Sequence, residues 1–282
     1  MKTILVTGCS SGIGYYCAKE LQKSGYQVFA TTRNDTDVTR LQKEGLNAYR
    51  LDLSDSKSID DALKWALKQT NGKLDALFNN GAYGQPGAVE DLSRDVLRQQ
   101  FETNLFGTHE LTSKSIRIMR NQGHGRIIQN SSVLGLITLK YRGAYNASKF
   151  ALEGLTDTLR QELHGSNIFV SLIEPGPIES LFRQNAHKAF KQNITIEGSA
   201  HQQVYEAVER RLAKQQTERK QDPFTLGPEA VLKPLIHALE SQKPKARYYV
   251  TFPTWLFAAL KRILPNIVLD WILMKVSDDE NK

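Results

Sequence analysis

Short runs of β-branched and apolar residues recur along the chain at Thr3 to Thr7, Gln27 to Thr31, Asn47 to Leu51, Ala76 to Asn79, Gly125 to Asn130 and Phe169 to Glu174. Each is followed by a segment long enough for a crossover helix. Runs that are apolar throughout, rather than alternating, belong to strands buried on both faces, and the intervening helices supply the cover. The pattern predicts an α/β fold, a Rossmann-like doubly wound parallel sheet with helices on both faces. A last run at Arg247 to Phe252, after the helix-like Gly227 to Ser241, predicts a seventh strand at a sheet edge.

Two regions depart from the repeating unit. Residues from about Leu181 to Phe224 are polar and rich in Gln and Lys, with helical spacing strongest from Ala200 to Lys214, and such an insertion beside a sheet reads as a substrate lid. The tail from Pro253 to Val276 is dense in apolar residues, including Trp255 and Trp271, is broken by Pro265 and carries Lys261, Arg262 and Lys275. Two readings stay open for it: peripheral contact with a membrane surface, or packing on the body or on a second subunit.

The chain has 282 residues, of which 40% are hydrophobic and 24% charged, values that fit one soluble globular domain and exclude a disordered or fibrous class. The formal net charge is +7, from 37 basic and 30 acidic residues. The two signs are mixed along the chain with no basic block, so no nucleic-acid partner is expected. Cys9 and Cys17 support neither a disulfide framework nor a zinc site, and six histidines, His109, His124, His164, His187, His201 and His237, lack metal-ligand spacing. No metal is expected. The initial apolar run is too short for a signal peptide or a membrane span, and the sequons at Asn130 and Asn146 fall inside the candidate catalytic segment. These features predict a cytoplasmic protein, with membrane association left open by the tail.

Chemistry enters at the end of the first run. Thr7-Gly8-Cys9-Ser10-Ser11-Gly12-Ile13-Gly14 leads into a helical pattern from Tyr15 to Ser24. Glycines let backbone turn sharply beside a pyrophosphate, and a helix N-terminus offers unpaired N–H groups and positive dipole to it. Further along, Tyr145 and Lys149 lie four residues apart in a helical pattern and so share a face. A phenol with a pKa near 10 is a poor proton donor or acceptor at neutral pH, and a neighbouring ammonium favours its ionised form. Tyr145 is thereby a candidate general acid in reduction and base in oxidation.

The spacing Thr-Gly-x-x-x-Gly-Ile-Gly, together with Tyr145-x-x-x-Lys149, resembles the short-chain dehydrogenase/reductase family, and the likeness runs from Thr7 to about Pro177. The resemblance implies that Gly8, Ser10, Ser11, Gly12, Ile13 and Gly14 cradle a nicotinamide dinucleotide. It implies that Asp52, beside Leu53, meets the adenine amino group. Ser132, rather than Ser131, is implied to polarise the substrate oxygen, and Asn104 to hold a water that links Lys149 to bulk. Pro175, Gly176 and Ile178 match the segment that runs past the nicotinamide, with Ile178 giving backbone contacts to its carboxamide; the usual threonine two positions later is absent, and Ser180 stands as its partial replacement. The family's Asn-Asn-Ala-Gly becomes Asn79-Asn80-Gly81-Ala82, which moves the glycine by one position and leaves Asn79 as the cofactor-side candidate.

The second run ends Ala30-Thr31-Thr32-Arg33-Asn34 without the acid that binds a ribose 2′-hydroxyl in NAD enzymes. Arg33 suits a 2′-phosphate, with Ser10 as a further donor, so NADP(H) is the expected cofactor. The helix beginning at Tyr145 is most similar to the hydroxysteroid and retinol dehydrogenase-like branch, which implies reduction of a small lipophilic aldehyde, ketone, steroid or retinoid-like substrate. Family habit implies a homo-oligomer, a dimer or a tetramer. The alternative function is a sensor or scaffold that binds NADP(H) without turnover.

Overall fold

A computed structural model describes residues 2–213 and 224–280. Seven parallel strands form one sheet, β1 (Thr3–Val6), β2 (Gln27–Thr32), β3 (Ala48–Arg50), β4 (Ala76–Asn79), β5 (Gly125–Asn130), β6 (Ile168–Glu174) and β7 (Arg247–Tyr249), in the order β3-β2-β1-β4-β5-β6-β7. The sheet follows from the pattern read above. Successive side chains alternate between faces, so Ile4, Val6, Val28, Ala30 and Phe78 enter one core while Leu5, Phe29, Leu77 and Ile127 enter the other.

The first core is closed by α1 (Gly12–Lys23), α2 (Asp35–Lys43) and α9 (Glu229–Glu240), through Cys17, Ala18, Leu21, Leu41, Val231 and Leu235. The second is closed by α3 (Ser56–Lys68) and α5 (Thr108–Gln122), through Ile59, Ala62, Leu63, Leu111 and Met119. The chain runs outward from β1 to β3 and then returns to β4 on the other side of β1. That reversal opens a crevice at the carboxyl ends of β1 and β4, where open α/β sheets bind their ligands.

The seventh strand is at the edge, as expected, but it is shorter. Pairing with β6 ends at Tyr249, and Phe252 opens α10 (Phe252–Ile263), with Pro253 in the first turn, where its missing N–H is harmless. The polar insertion holds two helices, α7 (Phe182–Asn193) and α8 (Gln202–Ala213). The second matches the expected helical stretch up to Ala213; Lys214 and the residues to 223 lie outside those described. Phe190, Ile194, Tyr205, Val208 and Leu212 pack this insertion against Ala88 and Leu92. The tail forms α10 and α11 (Asn266–Glu280), separated at Leu264 and Pro265. Its inner residues, among them Leu269 and Leu273, pack on Leu134 and Ile137, which bears out packing on the body for one of its two faces.

Candidate active site

The Gly-rich turn is shaped for close approach of backbone to backbone. Gly8 and Gly12 have φ of +71° and +57°, the left-handed region that glycine adopts without steric penalty. A Cβ on Gly8 would lie 2.7 Å from Gly81 Cα, and one on Gly14 only 2.4 Å from the Gly8 carbonyl oxygen. Ser11 makes no side-chain cap to α1, and the first turn of α1 holds no acidic residue. The α1 N-terminus, with Ile13 following Gly12, therefore offers N–H groups and a favourable dipole to an anion, and the residues present fit a dinucleotide pyrophosphate.

Asn80 holds this turn in place. Its Nδ2 donates to the carbonyls of Thr7 (2.9 Å) and Gly8 (3.2 Å), while Asn130 Nδ2 donates to Asn80 Oδ1 at 2.9 Å. Asn79, the expected cofactor-side residue, faces the other way: its Nδ2 donates to Thr112 Oγ1 on α5 at 2.8 Å. The correction has a simple cause, because Asn79 is the last residue of β4 and neighbours on a strand point to opposite faces. Gly81 has no positive φ; it is small because Thr7 Oγ1 and the Gly8 amide lie close, and its amide donates to Thr7 Oγ1 at 2.8 Å. The exchange with Ala82 thus preserves the close approach.

At the end of β2, Arg33 is exposed, and its positive charge acts on the hydroxyl of Tyr83 in the loop after β4. Arg50, which the sequence reading did not single out, stands at the same corner, with Nε donating to the Arg33 carbonyl at 3.2 Å. Arg40, also not singled out, donates to the Ser10 carbonyl at 2.6 Å and pairs with Asp37 and Glu44, so its charge is offset and its role is to set the loop. Asp52 caps a turn, with Oδ1 accepting from the amide and hydroxyl of Ser54 (3.0 and 2.7 Å), and buried Leu53 follows it beneath Gly81.

Across the crevice, Ser132 follows β5 and Tyr145 and Lys149 lie near the start of α6 (Gly143–Glu162). The Ser132 hydroxyl lies on the side of the Tyr145 phenol where it favours the ionised form, and the Leu134 amide fixes Ser132 by donating to its Oγ at 3.1 Å. Burial pushes the Tyr145 hydroxyl up to about 12, against the opposing effects of the Ser132 hydroxyl and the positive charge of Arg142. Lys149 is buried one turn later. Its Nζ donates to the Asn130 carbonyl at 2.8 Å and lies 5.7 Å from the centre of the Tyr145 ring. Burial pulls its pKa down to about 8, and the negative charge of Glu153 opposes that shift. Ser131 turns toward Glu153 instead of the crevice.

Asn104 sits in a π-helical turn, Glu102–Gly107, between α4 (Arg94–Phe101) and α5. Both of its amide hydrogens are engaged, one by the Tyr83 carbonyl (2.9 Å) and one by Ser148 Oγ (3.1 Å), while Oδ1 accepts from the Tyr83 amide at 3.1 Å. The buried side chain thus positions the Tyr83 loop against α6. Gln100 supports the same loop, donating to the Tyr83 carbonyl at 2.8 Å and accepting from the Gln85 amide at 2.7 Å.

The wall opposite the Gly-rich turn follows β6. Gly176 is forced by Thr251, whose Oγ1 would lie 2.2 Å from an added Cβ, and Pro175 gives its carbonyl to the Val133 amide at 2.9 Å. Beyond it, the Glu179 amide donates to the Leu226 carbonyl (2.9 Å) and the Leu226 amide to the Pro177 carbonyl (3.2 Å), a one-residue parallel bridge. Bridging through its neighbours leaves the amide of Ile178 directed away from Leu226, as a carboxamide contact requires. Ser180 accepts from the Phe182 amide at 3.3 Å and lies against Gly12, where an added Cβ would meet Ser180 Cβ at 2.7 Å. Phe182, absent from the sequence expectations, puts its ring edge on Tyr145, with centroids 5.3 Å apart.

Cys9 and Cys17 are buried free thiols, both pushed up to about 12 by burial, so they are unreactive. Asn130 and Asn146 are buried too, which leaves neither sequon accessible in the fold. Among the described residues no cluster of His, Cys, Asp or Glu could hold a metal, and no helix is long and apolar enough to cross a membrane.

Comparison with known proteins agrees with this geometry. Residues 2–191 match the family model described as short chain dehydrogenase. The chain is 42% identical over 272 residues to the uncharacterized oxidoreductase YbbO of Escherichia coli, covering 96% of this chain and 94% of that one. It is 31% identical over 284 residues to the NADPH-dependent 3-dehydrocapnine reductase of Ornithobacterium rhinotracheale, covering 98% and 97%. A short chain dehydrogenase/reductase from Burkholderia phymatum, solved in complex with NAD, superposes with a TM-score of 0.76 at 25% identity, over 93% and 92% of the two chains. With a crevice that pairs a glycine cradle with a partly buried tyrosine and a buried lysine, and matched over most of its length by these oxidoreductases, the chain belongs to the short-chain dehydrogenase/reductase family, whose members use a nicotinamide cofactor.

Proposed function

We propose that this protein is an NADP(H)-dependent reductase of lipophilic aldehydes or ketones, with Tyr145 as general acid. The observation that carries the reading is the convergence of Ser132 and Tyr145 with Lys149 one helical turn away, its Nζ 5.7 Å from the centre of the Tyr145 ring, facing the Gly-rich turn across the crevice. NADP(H), when bound, supplies or accepts the hydride. Tyr145 Oη donates its proton to the carbonyl oxygen in reduction and takes it back in oxidation. Ser132 Oγ orients that oxygen by hydrogen bonding, and the charge on Lys149 favours the phenolate left behind. The preference for NADP(H) rests on Arg33 after β2, on Arg50 at the end of the neighbouring β3 and on the lack of an acid at the end of β2. A lipophilic substrate is favoured because Tyr145 is packed among Leu134, Ile137, Phe257 and Leu260, with Phe182 on its edge.

The test is the loss of NADPH absorbance against a panel of aldehydes, ketones, steroids and retinal, run beside NADH and with Tyr145→Phe and Arg33→Asp. Turnover is expected with NADPH, reduced by about a thousandfold in Tyr145→Phe, the scale of a lost general acid. Arg33→Asp is expected to reverse the preference toward NADH. Tight NADPH binding without turnover on any substrate would instead make the protein a sensor or scaffold.

A further inference from the structure

The tail helices have a second face. On α10, Phe252, Trp255 and Ile263 fall on one outward stripe, and on α11, Ile267, Trp271 and Met274 follow at spacings of four and three. Five of these are more than half exposed: Phe252 at 58%, Trp255 at 59%, Ile263 at 76%, Ile267 at 80% and Trp271 at 54%. The stripe extends to the end of the lid, where the ring of Phe224 stacks on Phe252 with centroids 5.8 Å apart. A single exposed apolar side chain is ordinary, but a contiguous set on two successive helices marks a contact surface.

The charges among these residues point to the kind of contact. In the last turn of α10 Lys261 turns back over the Phe150 ring of α6 (4.6 Å) while Arg262, beside the stripe, reaches Tyr249 Oη at 3.4 Å, and Lys275 Nζ sits 3.7 Å above the centre of the Trp271 ring. Asp270 is exposed on the same helix, and Asp278 is tied to Lys140 at 2.7 Å. The core of a protein interface is depleted in charge, whereas here Arg262 and Lys275 flank the apolar residues. Tryptophan at headgroup depth, with lysine and arginine reaching for phosphates above buried aliphatic residues, is the arrangement of an interfacial helix. The chain's net charge of +7 has the matching sign for an anionic leaflet.

We propose that the outward stripes of α10 and α11 dock this protein on the surface of a bilayer containing anionic lipids. No helix among the described residues can span the bilayer, so the contact is monotopic. The inner side of the same helices packs around Tyr145, so docking holds the mouth of the crevice at the lipid surface. That last consequence rests on the function proposed above; the docking does not.

The experiment uses the full chain and phosphatidylcholine vesicles with and without phosphatidylglycerol, followed by flotation and by tryptophan quenching from lipids brominated on their acyl chains. Of the three tryptophans, Trp65 packs with Phe29 and Tyr49 in the second core, so quenching reads Trp255 and Trp271. Flotation with the anionic vesicles and quenching are expected. In Ile263→Glu/Ile267→Glu, which leaves both tryptophans in place, affinity is expected to fall about a hundredfold while the thermal melt is unchanged. Absence of flotation in the wild type, or equal flotation of the variant, overturns the proposal. So does light scattering that shows the wild type to be a dimer split by these substitutions with no vesicle binding, which would assign the face to a second copy. Because none of these readouts depends on turnover, a failure of the proposed reaction and a failure of docking are separable.

Discussion

The Tyr145 phenol, held near 12, keeps its proton at neutral pH, while the buried Lys149 ammonium loses its proton near 8. The alkaline limit of the proposed reduction is therefore expected to follow Lys149, with kcat/KM falling as pH rises through about 8 while Tyr145 remains protonated. Glu153 opposes the depression of Lys149, so Glu153→Gln is expected to move that limb to lower pH, measured as the pH profile of NADPH-dependent turnover. At this scale much of the site was legible. Tyr145 and Lys149 share a helix face as their spacing predicts, because a helix face is local geometry, and Ser132 comes to the same crevice, where the family resemblance puts it. The turn of the Asn79 side chain toward Thr112 was not legible, and Arg50 and Phe182 were missed, because which residue turns into a crevice depends on partners far away in the chain.

Elements were legible where burial made their sequences apolar. All but one of the strands match their runs to within a residue or two; β7 falls short because Phe252-Pro253 begins a helix. The insertion was harder, since the three buried positions of α7, Ala186, Ala189 and Phe190, are scattered among Gln, Lys and His. The π-helical turn carries no sequence signature at all. It is set by packing: Gly107 lies so close to β3's exit that an added Cβ would meet the Leu53 carbonyl oxygen at 1.7 Å. Gly107→Ala is expected to destabilise the fold by about 3 kcal/mol, as overpacking against fixed backbone does, and to lower activity by displacing Asn104 from the Tyr83 loop; denaturant melts and turnover check each part.

Across the whole molecule, the edge strand β7 is tied in by Arg247. Its guanidinium bonds Glu153 (2.8 Å) and Asp157 (2.8 and 2.9 Å) on α6 and pairs with Glu174 of β6 at 3.0 Å. One cation faces three carboxylates, and burial together with the charge of Glu153 raises the fully buried Glu174 to about 9. A carboxyl that keeps its proton in the fold but loses it on unfolding lowers stability as pH rises from the ordinary carboxylate range toward 9. Glu174→Gln, which cannot ionise, is expected to flatten that slope, read as melting temperature across neutral pH. None of this network was visible in sequence, because its members are up to 94 residues apart.

The contact between Gly12 and Ser180 joins the Gly-rich turn to the segment that leads into α7. Its consequence is kinetic. On the function proposed above, a dinucleotide seated on the turn would lie under the segment that leads into α7, so the carbonyl compound is expected to bind second and the oxidised dinucleotide to leave last, with its departure limiting steady-state turnover. Product inhibition by NADP⁺ is then competitive with NADPH alone, and a pre-steady-state burst precedes slower cycling. Gly12→Ala, which crowds Ser180 and strains a φ of +57°, is expected to weaken dinucleotide retention and abolish the burst in stopped-flow traces.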